Sequence, residues 1–267
     1  WTEAMQQLDR IQSRMHGLRE LGELMRALRV LAAAHLAEAQ AALPAALAYR
    51  ETLREAWAAL PAALPAAEPG APLHLLIGAE HGFTGAYAER LLAATPDGVA
   101  LAVVGRRALA RAIERKRVPR WSEDLSTRPG NVPDLARRLA LRIRTGHQPV
   151  SLIHAAYRQG SRFELGQRPL WPLLPVAMAA QRLPRTQLPE AALRCGIADM
   201  LLIAELAVAL LEALASENAA RMTVLDAAEH TLQGKLAGLR VEERSARQGA
   251  ITAELLDVVT GAEAQRR

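Results

Sequence analysis

The sequence is poor in aromatic side chains and has a single cysteine. Two Phe, three Tyr and four Trp make up 3% of 267 residues. Because Cys195 has no possible partner, an intramolecular disulfide is excluded, which fits a reducing compartment. The scarcity of aromatics and the absence of zinc-finger or basic-zipper motifs argue against nucleic-acid binding, despite a net charge of +5.

Motifs for metals, cofactors and catalysis are also missing from the sequence. The seven histidines are scattered, and none has the spacing of a metal-ligand pair. Residues 82–87 contain two glycines but lack the third glycine of the dinucleotide fingerprint and the lysine of a phosphate-binding loop. Glu80 beside His81 is the one place for acid–base chemistry, and no nucleophile motif lies near it. We therefore expect a non-catalytic chain with no cofactor and no metal, in which residues 82–87 form a tight turn and a helix start.

Alanine, leucine and arginine dominate instead, a composition typical of long helices. The arginines alternate with Glu and Asp, which predicts solvated helix faces, with a basic patch for an acidic partner or anionic lipid as the alternative. The most apolar window, residues 197–215, contains Asp199, Glu205 and Glu212, whose charges are costly in a bilayer. It therefore predicts a buried helix and not a membrane span. The N-terminal sequence lacks a signal-peptide pattern, so we expect a cytosolic chain.

Both ends of the chain show coiled-coil spacing. Apolar residues recur in steps of three and four along an N-terminal seam: Leu8, Ile11, Met15, Leu18, Leu21, Met25 and Leu28. Two successive steps of three, ending at Leu21, predict local overwinding of the supercoil. Gly17 and Gly22 flank that point and indicate either close helix packing, which we favour, or a tolerated soft spot in the helix. Pro44 predicts a bend.

A second seam occupies the C-terminal third. Its core positions include Ile197, Leu201, Leu211, Met222 and Leu225, and Ile251, Leu255 and Val258 are expected to continue the stripe. Asn218 falls on the seam, where a polar residue usually fixes the register of the helices. We expect the two helices to form a long antiparallel coiled coil, about 80–90 Å long for 60 residues at 1.5 Å each.

Between the helices the hydrophobic period changes. Residues 61–72 are rich in Ala and Pro and predict a linker. Short apolar runs at 73–79, 99–105 and 150–156 predict strands, and the patterns at 86–94, 106–116 and 133–145 predict helices. Residues 163–173, with two prolines, suit an edge strand. The predicted fold is α/β with dominant helix: residues 1–60 a helix, 61–72 a linker, 73–190 a small Rossmann-like domain and 191–267 a helix.

Two C-terminal segments carry a resemblance to a known family. Ala-Ser-Glu-Asn-Ala-Ala-Arg-Met at residues 215–222 and Ala-Arg-Gln-Gly-Ala-Ile-Thr-Ala-Glu-Leu at 246–255 resemble the signature of the gamma subunit of F-type ATP synthases, the rotating central shaft. Residues 82–87 resemble its Gly-Leu-Cys-Gly-Ala-Tyr segment. Leu21, Leu28 and His35 depart from the family pattern, which suggests a divergent branch such as the alternate N-ATPase type.

The resemblance implies a rotor that couples ion flow through a membrane ring to ATP synthesis or hydrolysis. Its implied partners are the alpha and beta subunits, the epsilon subunit and the c-ring, with one copy per complex, bound peripherally at the cytoplasmic face of the bacterial plasma membrane. By the same resemblance, Arg247, Gln248 and Thr252 match positions that contact a loop of a beta subunit. Arg19, Arg26 and Arg29 are candidates to face acidic lever segments of beta subunits.

Two other interpretations stay open at this stage. An unrelated coiled-coil adaptor or scaffold would self-associate through the two seams. A small α/β enzyme with helical extensions would bind a nucleotide or metal in its central domain. Neither interpretation explains the C-terminal signature.

Overall fold

The computed structural model describes residues 2–60, 71–158, 162–173 and 187–265. The elements in chain order are α1 (Thr2–Ala58), β1 (Leu73–Ile77), α2 (Tyr87–Ala93), β2 (Ala100–Val104), α3 (Arg106–Glu114), β3 (Trp121–Glu123), a 3₁₀ turn (Pro129–Asn131), α4 (Val132–Thr145), β4 (Val150–Arg158), β5 (Arg162–Trp171) and α5 (Glu190–Gln265).

The two terminal helices are long and uninterrupted. α1 has 57 residues and α5 has 76, so together they contain half of the chain. Pro44 lies inside α1, which continues for 14 residues beyond it to Ala58, and the helix therefore does not end at the proline. The bend expected there stays a prediction.

The central sheet has five strands in the order β3-β2-β1-β4-β5. β1 pairs in parallel with β2 and with β4, and β2 pairs in parallel with β3. β5 runs antiparallel to β4 at the edge of the sheet. The predicted alternation of strands and helices is confirmed, and so is the edge strand. The three-residue strand β3 was not predicted.

The chain divides into two compact units. We call residues 31–224 the sheet unit, and residues 1–30 with 225–267 the helix-pair unit. The domain boundaries predicted at residues 60, 72 and 190 stay predictions. Residues 61–70 of the predicted linker lie outside the described residues.

Helices cover both faces of the sheet in the sheet unit. On one face the strands pack against α4 and against α5, whose contributing side chains include Leu202, Leu206 and Leu210. On the other face they pack against α2 and α3. Gly78, at the end of β1, allows α3 to approach, because an added Cβ would lie only 2.4 Å from the Cβ of Ala108.

In the sheet unit, α5 is buried on nearly all sides and not along one stripe. Leu211 belongs to the core of the sheet, whereas Leu201 packs with Leu53 and Trp57 of α1, and Ile197 lies beside them. The apolar residues of this part of α5 are therefore shared between the sheet and α1. Such all-round hydrophobicity is typical of a buried helix. A seam between two helices therefore does not account for all the apolar residues in this part of α5.

In the helix-pair unit, the first part of α1 packs against α5 through two apolar clusters. Ile11 and Met15 lie against Leu239, and Met25 lies against Leu225 and Leu232. Since residue numbers rise along one segment as they fall along the other, the two segments run in opposite directions. Leu18 and Leu28 pack against these clusters, and Leu8 is half-buried. Met222, which belongs to the sheet unit, is also half-buried.

The prediction for Leu21 was wrong, since this side chain is 45% exposed and the neighbouring Gly22 is buried. The buried positions 11, 15, 22 and 25 and the half-buried position 18 alternate steps of four and three, so the expected overwinding has no basis. A Cβ added at Gly22 would lie 3.3 Å from Cδ2 of Leu232, which confirms the close packing expected at this glycine.

One described helix, Gln6–Ala58, is long and apolar enough by composition to cross a membrane, with a mean hydropathy of 1.3 in its most apolar window. Helices of soluble proteins meet the same criterion, so this is weak evidence for a span.

Candidate partner-binding surfaces

The residues predicted to contact a beta subunit lie on the exposed surface of α5. The Arg247 guanidinium is 61% exposed and lies 3.4 Å from Oε1 of Glu243, one turn earlier. Gln248 is also exposed, and its backbone carbonyl accepts a hydrogen bond from the Thr252 hydroxyl at 2.9 Å. The Arg247 guanidinium thus has N–H groups left over, and a carboxylate of a partner could accept hydrogen bonds from them.

The three candidate lever contacts differ from one another. Arg29 Nη1 donates to Oδ1 of Asp226 at 2.7 Å, and Arg26 lies 3.9 Å from Glu229. The hydrogen bond to Asp226 raises the pKa of Arg29, and the nearby Glu229 adds to the effect. Arg26 and Arg29 therefore already face carboxylates of α5 in the helix-pair unit, whereas Arg19 is exposed and has no ion pair within the described part of the chain. No sequence pattern pointed to Asp226 and Glu229 as partners of these arginines.

Large apolar side chains are exposed over the helix-pair unit. They are Leu21, Leu24, Val30, Val241, Ile251, Leu255, Leu256, Val258 and Val259. The expected continuation of the seam through Ile251, Leu255 and Val258 was therefore wrong, because these side chains are 51–64% exposed. Exposed apolar groups in such number are typical of surfaces that another protein covers.

The signature at residues 215–222 lies in the interior of the sheet unit. Glu217 is 2% exposed, and its carboxylate accepts hydrogen bonds from the backbone N–H groups of Glu80 at 2.9 Å and His81 at 3.1 Å. Nη2 of Arg221 also donates to Glu217, and its Nε donates to the carbonyl oxygen of Gly82 at 3.2 Å. The signature thus ties α5 to the loop that follows β1.

Asn218 and Ser216 complete this polar group. Asn218 Oδ1 accepts from Nη1 of Arg221 at 2.7 Å, and its Nδ2 donates to the carbonyl of Leu214 at 2.8 Å. Ser216 donates to the carbonyl of Ala155 in β4 at 3.0 Å. Asn218 is buried, as expected of a seam residue, but its polar bonds stay within α5. The side chain positions Arg221, and its predicted role in fixing the register of two helices stays a prediction.

Glu80, the one position considered for acid–base chemistry, has its acceptors in use. Its carboxylate accepts from the backbone N–H groups of Arg106 at 3.0 Å and Leu125 at 2.9 Å, and also from the Arg106 side chain. The hydrogen bond to Glu80 raises the pKa of Arg106. Through these bonds the Glu80 carboxylate joins the loop after β1 to the start of α3 and to the loop after β3. Its role is therefore structural.

A second buried carboxylate, Glu205, lies among three arginines of the sheet unit. Arg54 Nε donates to it at 2.8 Å, Arg168 also donates to it, and Arg50 lies 3.8 Å away. Burial lowers the pKa of Arg50, and Glu205 opposes that effect. Glu205 thus links α1, β5 and α5. Glu212, one of the other acidic residues in this apolar window, is 2.7 Å from Nε2 of His154.

Among the described residues there is no group of three or more His, Cys, Asp or Glu side chains that could hold a metal ion. The polar clusters described above are hydrogen-bonded within the chain, whereas Arg19 and Arg247 of the helix-pair unit keep accessible donors. The geometry therefore points to partner binding.

Comparisons with known proteins agree with this interpretation. A family model described as ATP synthase matches residues 7–265. The ATP synthase gamma chain of Moorella thermoacetica is 30% identical, with 95% of this chain and 97% of that one covered. The gamma chain of Geotalea daltonii is 24% identical, with 97% and 99% covered.

A solved structure shares the fold. A chain of the Euglena gracilis mitochondrial ATP synthase, in a structure of OSCP, F1 and the c-ring, matches with a TM-score of 0.72 at 17% identity, with 97% of this chain and 94% of that one covered. Fold and sequence thus define a subunit of an ATP synthase. The chain belongs to the ATP synthase gamma chain family and is a non-catalytic subunit of the central stalk. The alternative of an unrelated coiled-coil adaptor is not favoured by these matches.

Proposed function

We propose that this chain is the rotating shaft of an F-type ATP synthase. In this proposal α1 and α5 form a long antiparallel coiled coil that lies in the bore of a hexamer of alternating alpha and beta subunits. Its rotation couples ion flow through the membrane ring to ATP synthesis or hydrolysis. One copy serves each complex.

The exposed apolar surface of the helix-pair unit is the observation that carries this proposal. Side chains such as Leu24, Leu255 and Val259 are more than half exposed. Leaving them in water costs about 25 cal/mol for each Å² of apolar area, so a surrounding sleeve of partner subunits would stabilise them. An adaptor that dimerises could also cover them, and the test below separates the two occupants.

The polar contacts of the shaft are proposed at two places. Arg247, Gln248 and Thr252 would contact a loop of a beta subunit, with Arg247 donating to a carboxylate through its planar fork. Arg19, which has no ion pair within the described residues, is the strongest of the three candidate lever contacts. Arg26 and Arg29 would have to share or exchange the carboxylates of Asp226 and Glu229.

The sheet unit would form the foot of the stalk. We propose that it contacts the epsilon subunit and the c-ring, which would hold the chain peripherally at the cytoplasmic face of a bacterial plasma membrane. Membership of the gamma chain family supports this assignment.

The experiment is to mix this chain with matching alpha and beta subunits, measure the stoichiometry of the complex, and assay its ATP hydrolysis. The contact variant is Arg247→Ala with Gln248→Ala. The matched control is Arg240→Ala, which removes another arginine of α5, one that is exposed and forms no ion pair within the described residues.

We expect an active complex with one copy of the chain. The double substitution should lower its ATP hydrolysis, and the control should not. Failure to associate would overturn the proposed function, and stable self-association would then favour the adaptor. If the double substitution leaves ATP hydrolysis unchanged, the shaft function stands and the proposed contacts of Arg247 and Gln248 are wrong.

A further inference from the structure

The carboxyl edge of the parallel sheet is where doubly wound domains bind their ligands. The strand order places β1 between β2 and β4, and the chain leaves β1 on one side and returns through β4 on the other. Ligands of such folds bind in the crevice at this switch point. In this protein two successive backbone amides of the loop after β1, those of Glu80 and His81, donate to Glu217 of α5.

Two successive backbone N–H groups that converge on one anion form a typical phosphate or carboxylate cradle. Here the anion is a side chain of the same protein. The Glu217 carboxylate is 2% exposed and also accepts from Arg221, so it is fully enclosed by donors. Charge-assisted hydrogen bonds are roughly twice as strong as neutral ones, and a buried charge without partners is costly. The position of Glu217 is therefore tightly determined.

The neighbours of Glu217 hold the same stretch of α5 to three other segments. Ser216 donates to Ala155 of β4, and Arg221 donates to Gly82 of the loop after β1. The Tyr87 hydroxyl, in α2, donates to the carbonyl of Ala213 at 3.4 Å, and burial raises the pKa of this phenol. Hydrogen bonds are directional and therefore fix orientation, whereas the apolar contacts of the core are not directional.

α5 is one continuous helix from Glu190 to Gln265. It therefore connects the Glu217 anchor directly to Arg247 and Gln248, the proposed contacts with a beta subunit. A helix that transmits torque to a domain has to be fixed against rotation about its own axis, and directional bonds to the domain supply that constraint.

We infer that Glu217 is a positioning residue for rotary coupling, whose carboxylate fills the ligand cradle of the sheet and fixes α5 to the sheet unit so that torque reaches that unit. This inference rests on the proposed shaft function. It assigns to the signature at residues 215–222 a mechanical role inside the subunit, separate from contact with other subunits.

The test observes rotation of beads attached at two places in the reconstituted complex with alpha and beta subunits. One bead is bound to the native Cys195, which is exposed on α5 itself. The other is bound to Arg138→Cys, on the exposed face of α4, in a Cys195→Ser background. Each attachment is studied with native Glu217, with Glu217→Gln, and with the control Glu242→Gln, an exposed glutamate of the same helix.

With native Glu217 we expect both beads to rotate, and we expect them to show equal angular spread while the complex is at rest. Glu217→Gln should broaden the spread of both beads, because both attachment sites lie in the sheet unit and Arg144 of α4 donates to Asp199 of α5, whereas Glu242→Gln should change neither. In the free chain, the amides of Glu80 and His81 should exchange with solvent about tenfold faster or more, since each loses a bond to a charged acceptor. Arg221→Lys, which loses the bond to Gly82, provides a second variant if Glu217→Gln does not fold.

The two possible failures are distinguishable. If neither bead rotates with native Glu217, the shaft function itself is wrong. If both beads rotate and Glu217→Gln changes neither the spread of the beads nor the exchange of the two amides, the shaft stands and the anchoring role of Glu217 is overturned.

Discussion

At the scale of single residues, buried and half-buried carboxylates determine how the helices and the sheet are joined. Glu205, Glu212 and Glu217 all come from α5, and each meets a cation, an imidazole or backbone N–H groups of another element. In the sequence, Glu205 and Glu212 indicate only that the apolar window is not a membrane span. Their partners are distant in sequence, and no spacing rule connects Glu205 to Arg54, 151 residues earlier.

The Glu205 cluster gives a stability prediction. Glu205→Gln would leave Arg50, Arg54 and Arg168 without their shared counter-charge, and breaking a buried ion pair costs about 3–5 kcal/mol. Because Arg54 and Arg168 are partly exposed, we expect a loss near the lower end of that range, measured by urea unfolding followed with circular dichroism. The control Glu51→Gln, on the exposed face of α1, should change the free energy of unfolding by less than about 0.5 kcal/mol. Equal effects of the two substitutions would contradict this account.

His74 gives a pH prediction. Its pKa is lowered, first by burial and then by the charge of Arg117, and its Nε2 lies 3.4 Å from Gln167. The unfolded chain therefore takes up a proton at a higher pH than the folded chain, so this residue makes stability fall as the pH drops below about 6.5. His74→Leu should flatten the decline of the unfolding free energy between about pH 7 and 5, relative to His230→Leu, which removes an exposed imidazole. An unchanged slope would show that His74 does not contribute.

At the scale of elements, much of the sheet unit could be predicted. The apolar runs that predicted β1, β2 and β4 are buried on both faces, so they are continuous and easily recognised. β3 was missed because it has only three residues, none of them fully buried. The error at Leu21 has a different cause. A pattern of apolar side chains does not reveal a glycine at a core position, so it points to Leu21 where the structure has Gly22 facing the partner helix.

The two glycines of the N-terminal helix give a paired prediction. A Cβ added at Gly17 would meet nothing within 4 Å, whereas one added at Gly22 would lie 3.3 Å from Leu232. Alanine is favoured over glycine in a helix interior by about 1 kcal/mol, so Gly17→Ala should stabilise the chain by about that amount. Gly22→Ala should gain less or destabilise, because Leu232 has to move. Thermal unfolding of both variants tests this, and equal gains would contradict close packing at Gly22.

At the scale of the whole molecule, the sequence resemblance was more informative than hydrophobic patterns. The match to the gamma chain family extends from residue 7 to residue 265, which no local pattern could establish. The location of residues 215–222 inside the sheet unit could not be predicted, since the amides that bind Glu217 lie 136 and 137 residues away. What the resemblance did not provide was the distinction between signature residues that hold the subunit together and those on its surface, such as Arg247.

Rotation of this chain inside a ring of partner subunits is the property on which its proposed function depends. The most direct measurement attaches a bead to Cys195 in the complex with alpha and beta subunits and records its angle while ATP is hydrolysed. We expect continuous rotation in one direction that stops when ATP is withdrawn. A complex that hydrolyses ATP while the bead shows only undirected fluctuation would contradict it.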